Sequence, residues 1–84
     1  MNPAELANTA IGAMANQVKL GLPVKDAFIA ITIPKGWKAP PKFPRRNILG
    51  DNDDGSRIYR VNAARVLAWC IANGYVELQE NAPQ

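Results

Sequence analysis

Apolar positions along the chain change their period from segment to segment, and each period predicts an element. Leu6, Ala10, Met14 and Val18 recur at spacing four with Ile11 beside them, while Asn8, Asn16, Gln17 and Lys19 fall elsewhere, the pattern of an amphipathic helix. Asn2 supplies a cap, Pro3 suits the first helical position, Glu5 can reach back as in a capping box, and Gly21 ends the helix after about Leu20. Pro23-Val24-Lys25-Asp26 opens a second element. Its continuation is ambiguous, because Ile29, Ile31 and Ile33 alternate with Ala30 and Thr32 as in a strand, while Phe28-Ile29-Ala30-Ile31 suits a short helix equally well. The preferred reading is a second N-terminal helix from Pro23 to about Ile31, and Pro34 stops either alternative.

Residues 34–46 break all periodicity. Pro34, Pro40, Pro41 and Pro44 force extended backbone on the residues before them, which predicts an ordered arm or a loop packed by Trp37 and Phe43. Beyond it, Arg46-Asn47-Ile48-Leu49 and Arg57-Ile58-Tyr59-Arg60-Val61 are β-prone runs flanking the turn formers from Gly50 to Gly55, a hairpin with an acidic tip. Asn62 caps a final helix from Ala63 to about Asn73, with Val66, Leu67, Cys70 and Ile71 buried, Trp69 flanking them and Gly74 as the stop. Tyr75 to Leu78 suits a last short strand, and residues 79–84 read as frayed. The sum is a small α+β domain spanning residues 1–84, with two N-terminal helices, a basic arm, a hairpin and a C-terminal helix.

Composition narrows the chemistry. A chain of 84 residues forms a small core with little room for a walled active site, and this one has no His and a single Cys. The commonest general base is therefore missing, as are the means to build a disulfide or a thiolate metal cage. The six glycines are scattered and complete no phosphate-binding loop. Asp51, Asp53 and Asp54 invite a calcium reading, but aligning Gly55 with the invariant glycine of an EF-hand loop puts Gly50 and Val61 at obligatory ligand positions. The expectation is thus a protein that is not an enzyme and has no metal or cofactor. No run is apolar enough to cross a membrane and residues 1–20 lack signal-peptide character, which predicts a cytoplasmic protein.

Charge is unevenly spread. Residues 35–65 hold eight basic against three acidic side chains, whereas residues 1–34 balance and residues 66–84 carry only Glu77 and Glu80. An anionic partner would meet the middle third. The candidate binding residues are Lys38, Lys42, Arg45, Arg46, Arg57 and Arg60, with Trp37 as an aromatic contact or, on the alternative reading, a core anchor of the arm. Arg57 and Arg60 point to opposite faces of their strand, so only one of them can join Arg45 and Arg46 on a single surface.

From residue 23 onward the order of elements resembles the small winged-helix proteins of prophages, the excisionases and the AlpA-type and MerR-type regulators. The matching residues are Phe43-Pro44, a wing from Arg45 to Val61 with Gly55 and Arg57, Tyr59-Arg60-Val61, and Val66-Leu67-Ala68-Trp69. The run from Lys42 to Trp69 also looks like that of small phage proteins with similar Phe-Pro-Arg-Arg, Asp-Gly-Ser-Arg and Leu-Ala-Trp stretches. The resemblance implies a winged-helix-like phage protein that binds DNA. It would place the recognition helix at Val24 to Ile33, where the polar side chains are Lys25, Asp26 and Thr32.

The leading expectation is therefore a phage-type accessory protein, excisionase- or regulator-like, binding nucleic acid through the arm and hairpin. The alternative is an interaction module, such as a phage-encoded inhibitor docking on an acidic surface of a host protein. A third reading is a homodimer formed through the alanine-rich first helix.

Overall fold

The computed structural model describes residues 2–76. Helix α1 (Pro3–Lys19) is followed by a single 3-10 turn (Val24–Asp26), strands β1 (Phe28–Ile33), β2 (Arg46–Asp51) and β3 (Arg57–Asn62), and helix α2 (Ala63–Ala72). The strands form one antiparallel sheet in the order β1-β3-β2, and both helices pack on one of its faces.

Both asparagine caps form as the sequence predicts, whereas Glu5 makes no return bond of a capping box. Asn2 accepts a hydrogen bond from the Ala4 amide, and Asn62 accepts one from the Arg65 amide at 3.0 Å. Both helices close in the same way. The Gly21 and Leu22 amides donate to Val18 and Gln17, and the Gly74 and Tyr75 amides donate to Ile71 and Cys70, with each glycine in the left-handed region. These are Schellman motifs, which satisfy carbonyls that a helix end leaves free.

The second N-terminal helix does not form. After one 3-10 turn the chain enters β1, and Phe28 to Ile33 pair in unbroken register with Asn62 to Arg57. Ile29, Ile31 and Ile33 are buried while Phe28, Ala30 and Thr32 are exposed, so the period of two prevails over the short helical reading. The reason is tertiary: β3 supplies a ladder partner for every residue of the segment, and β-branched side chains pack well on a pleated surface. The hairpin forms as expected, with a bulge between Ile48 and Gly50. Tyr75 and Val76 lie outside any strand, and the rest of the predicted last strand, with the frayed end, falls outside the described residues.

The core consists of Leu6, Ala7 and Ala10 of α1, Ala27, the three isoleucines of β1, Val61, and Ala63, Val66, Trp69 and Cys70 of α2. Three details depart from expectation. Val18 and Ile11 are 64% and 45% exposed, because the buried stripe of α1 runs through Leu6, Ala7 and Ala10 toward Ala13 and Met14. Trp69 is only 8% exposed and is a core residue. Leu67 and Ile71, expected on the buried stripe of α2, are only half-buried. Cys70 is fully buried, and desolvation raises its thiol pKa, so it acts as a small hydrophobe with little thiolate character.

Candidate functional site

The arm from Pro34 to Arg45 contains no strand or helix and is built from two tight turns. In each, the amide of an aromatic residue donates to the carbonyl of a proline three residues earlier: Trp37 to Pro34 and Phe43 to Pro40, both at 3.2 Å. The third residue of each turn has positive φ, Gly36 at 84° and Lys42 at 62°. Positive φ there following a normal second residue is the type II signature, and at that position a lysine is strained where a glycine is not. The turns deliver Trp37 and Phe43 to an aromatic stack. Phe43 meets Trp37 and Trp69 edge-on at 5.5 and 4.9 Å between ring centres, and Trp69 continues to Tyr75 at 5.4 Å. The Trp69 indole N–H donates to the Pro41 carbonyl at 3.1 Å, fastening the arm to α2.

The structure separates the sequence-predicted binding residues. Arg46 faces inward, its guanidinium carbon 5.7, 5.6 and 5.1 Å from the ring centres of Trp37, Phe43 and Tyr59. Its Nε is buried and without a hydrogen-bond partner. Arg46 and Trp37 thus serve the packing of the arm. Arg57 is held by Asp51, Nε to Oδ1 at 2.6 Å, the only salt bridge among the described residues. That hydrogen bond raises the guanidinium pKa further above its ordinary value. Lys38, Lys42, Arg45 and Arg60 are exposed.

Three surfaces result. The first is a recess of about 450 Å³ between the start of the arm and the hairpin, where Lys35, Trp37, Arg57 and Tyr59 meet Asp51 and Gly55. The second is a shallow, mostly apolar cleft of about 380 Å³ in which Lys42 and Arg65 flank Pro44, Ala68 and Trp69. The third is the face of the sheet that no helix covers. Alternation places Phe28, Ala30 and Thr32 of β1, Ile58, Arg60 and Asn62 of β3, and Asn47 of β2 on it, together with Arg45 just before β2. None of these is acidic.

On that open face Phe28 is 44% exposed, and the Arg60 guanidinium carbon lies 3.7 Å from its ring centre. Stacking on an aromatic face orients the planar guanidinium and leaves its N–H donors pointing outward from the ring edge. Sequence reasoning missed Phe28 because it read the segment as helix. The alternation of Phe28, Ala30 and Thr32 against the isoleucines was the available signal.

The hairpin tip is self-contained. Asp53, Asp54 and Gly55 form a three-residue loop closed by the Asn52 amide donating to Ser56. The Ser56 hydroxyl and amide both donate to Asp54, at 2.6 and 2.8 Å, and these bonds, the hydroxyl's foremost, hold its carboxyl below the ordinary value. Gly55 is required by its φ of 88°, and any Cβ there would also push aside the Lys35 side chain, whose Cδ would stand 2.9 Å away. Among the described residues no group of three or more His, Cys, Asp or Glu is placed to hold a metal ion, and no helix is long and apolar enough to cross a membrane. Comparison with protein families, curated proteins and solved structures finds no match to this chain.

Proposed function

We propose that the protein is a small phage-type accessory protein that binds nucleic acid through the open face of its sheet, with the arm adding phosphate contacts. The observation that carries this reading is the acid-free face on which Arg60 is stacked over exposed Phe28 beside Arg45 and Asn47. Arginine donors at fixed positions suit phosphate oxygens, and the outer plane of a guanidinium already stacked on an aromatic ring offers a surface on which a base can stack. Lys38 and Lys42 extend the charge along the arm. Arg46 and Arg57 are excluded from the contact set because packing and Asp51 already occupy them. Recognition in the winged-helix manner, with a helix in the major groove, finds no support, since the segment that would form that helix is a 3-10 turn and a strand. The acidic hairpin tip, which would repel phosphate, lies at the end of the sheet away from α2.

The test is a titration of labelled duplex and single-stranded DNA over a range of salt. Contacts from Lys38, Lys42, Arg45 and Arg60 predict a slope of log affinity against log salt of about −3 to −4, and Arg45→Ala with Arg60→Ala should reduce it by about two. Arg46→Met, which keeps the packing, should leave it unchanged. Absence of binding at low salt, or a slope indifferent to the Arg45/Arg60 pair, would exclude this reading.

A second reading is favoured by one feature, the cleft flanked by Lys42 and Arg65. An apolar floor with two cationic edges suits a partner protein's apolar side chain flanked by carboxylates, the acidic docking surface of the interaction-module alternative. Arg65→Glu discriminates the two, since it should abolish a protein complex and leave Arg60-dependent DNA binding in place.

A further inference from the structure

The exposed flank of α1 carries a pattern that the monomer does not use. Ala4, Asn8, Ile11, Ala15 and Val18 are all exposed, and their spacing alternates four and three. That is the seam of a coiled coil, a period of about 3.5 residues that keeps one stripe facing a partner helix. It lies beside the buried stripe, and the chain continues it with Leu20 and Leu22, 63% and 50% exposed. Next to the seam is a recess of about 280 Å³ lined by Ile11, Met14, Ala15 and Val18, with Val24 and Leu67 as the other walls. Four residues at i, i+3, i+4 and i+7 are the hole into which a coiled-coil partner inserts a knob.

We infer that α1 is a self-association surface on which two copies of this chain pair antiparallel about a two-fold axis that crosses the seam at the height of Ala13 along the helix. Three observations select a second copy in this orientation. Pairing at that height sets Ile11 opposite Ala15, a larger side chain against a smaller one, and Asn8 opposite Val18, and Ala4 then meets the turn carrying Leu20 and Leu22. The same axis brings Ile11 of each copy to the Ile11–Val18 recess of the other. Charge agrees: α1 carries Glu5 near its start and Lys19 at its end with no charged side chain between them. Antiparallel pairing brings Glu5 of one copy toward Lys19 of the other, whereas parallel pairing sets like against like. A two-fold axis makes the contact self-complementary and closed at two copies. Gly12, where an added Cβ would meet nothing within 4 Å, leaves room for close approach. The inference is independent of nucleic-acid binding, because α1 lies on the covered side of the sheet.

One helix face about 25 Å long is a small interface, so association is expected in the micromolar range. Light scattering on the full chain from about 5 µM to about 500 µM should show mass rising from one copy to two. Ile11→Glu, and separately Val18→Lys, should hold it at one copy with an unchanged circular-dichroism spectrum, both side chains being exposed. Orientation is read by oxidative cross-linking of Ile11→Cys and Ala15→Cys chains; Cys70 is fully buried and takes no part. An equimolar mixture should cross-link several-fold more than either variant alone. A single copy at every concentration, a dimer indifferent to both charge substitutions, or equal cross-linking of each variant by itself would overturn the proposal.

Discussion

Over the β1 side of the sheet the cover is helical: Leu6, Ala7, Ala10, Val66 and Cys70 close on the strands, and the one polar group among these side chains, the Cys70 thiol, faces the Pro3 carbonyl at 3.9 Å. Over the β2 side of the same face the cover is a proline-rich arm with no ladder or helix bonds, and a different set of forces holds it. There the contacts are edge-on aromatic pairs, a guanidinium surrounded by three rings, and one indole hydrogen bond to a proline carbonyl. A helix satisfies its own backbone and needs only an apolar stripe to dock. An arm without internal bonds needs turns to aim its anchors, and large, geometrically specific side chains to make few contacts count. Trp69 belongs to both halves, as a core residue of α2 and the fastening point of the arm.

That shared role sets the largest expected effect. Trp69→Ala should destabilise the protein by about 3–5 kcal/mol, read by denaturant unfolding, and should exceed Val66→Ala in the purely helical half. If Val66→Ala proves the costlier, the two halves are not coupled through Trp69. Phe43→Ala should cost less, about 2 kcal/mol, because Phe43 is half-buried. It should also act locally: hydrogen exchange should rise at the Trp37 and Phe43 amides, which close the two turns, while the amides of α2 stay protected. Uniform loss of protection would show that the arm and the helices form one cooperative unit.

Smaller still is the effect of Lys42→Gly. It relieves left-handed backbone strain and adds unfolded-state freedom, so thermal unfolding should move by less than about 1 kcal/mol, toward stability if strain dominates. If affinity for DNA or a partner falls while stability holds, the strained lysine is kept for its charge. The smallest expected effect lies at the hairpin tip. The Asp54 carboxyl is lowered from 3.8 by Ser56, so its contribution is present above the unfolded value and lost as pH falls through the folded one. Asp54→Asn should therefore lower the melting temperature slightly near neutral pH, with the gap to the parent chain closing in acid. A gap that does not depend on pH would mean that the Ser56 bonds do not depend on the charge.

What the sequence determined by itself was everything governed by neighbours in the chain. Asn2 and Asn62 cap because their side chains reach amides two or three residues on, Gly21 and Gly74 end helices because they tolerate left-handed backbone, and the hairpin tip turns at Gly55 for the same reason. The proline arm was legible as ordered because prolines restrict the residues before them and Trp37 and Phe43 ask for burial. Tertiary structure alone decided three things. The segment from Phe28 to Ile33, whose local pattern suited strand and helix alike, became a strand because β3 stood beside it with a free ladder edge. Arg46 turned inward and Arg45 outward because the chain entered β2 in one register, so a basic cluster contiguous in sequence was divided between two faces. Val18 and Ile11 were left in solvent because the sheet and α2 met α1 along the neighbouring stripe, a choice among apolar flanks that depends on what packs against the helix and not on the helix itself.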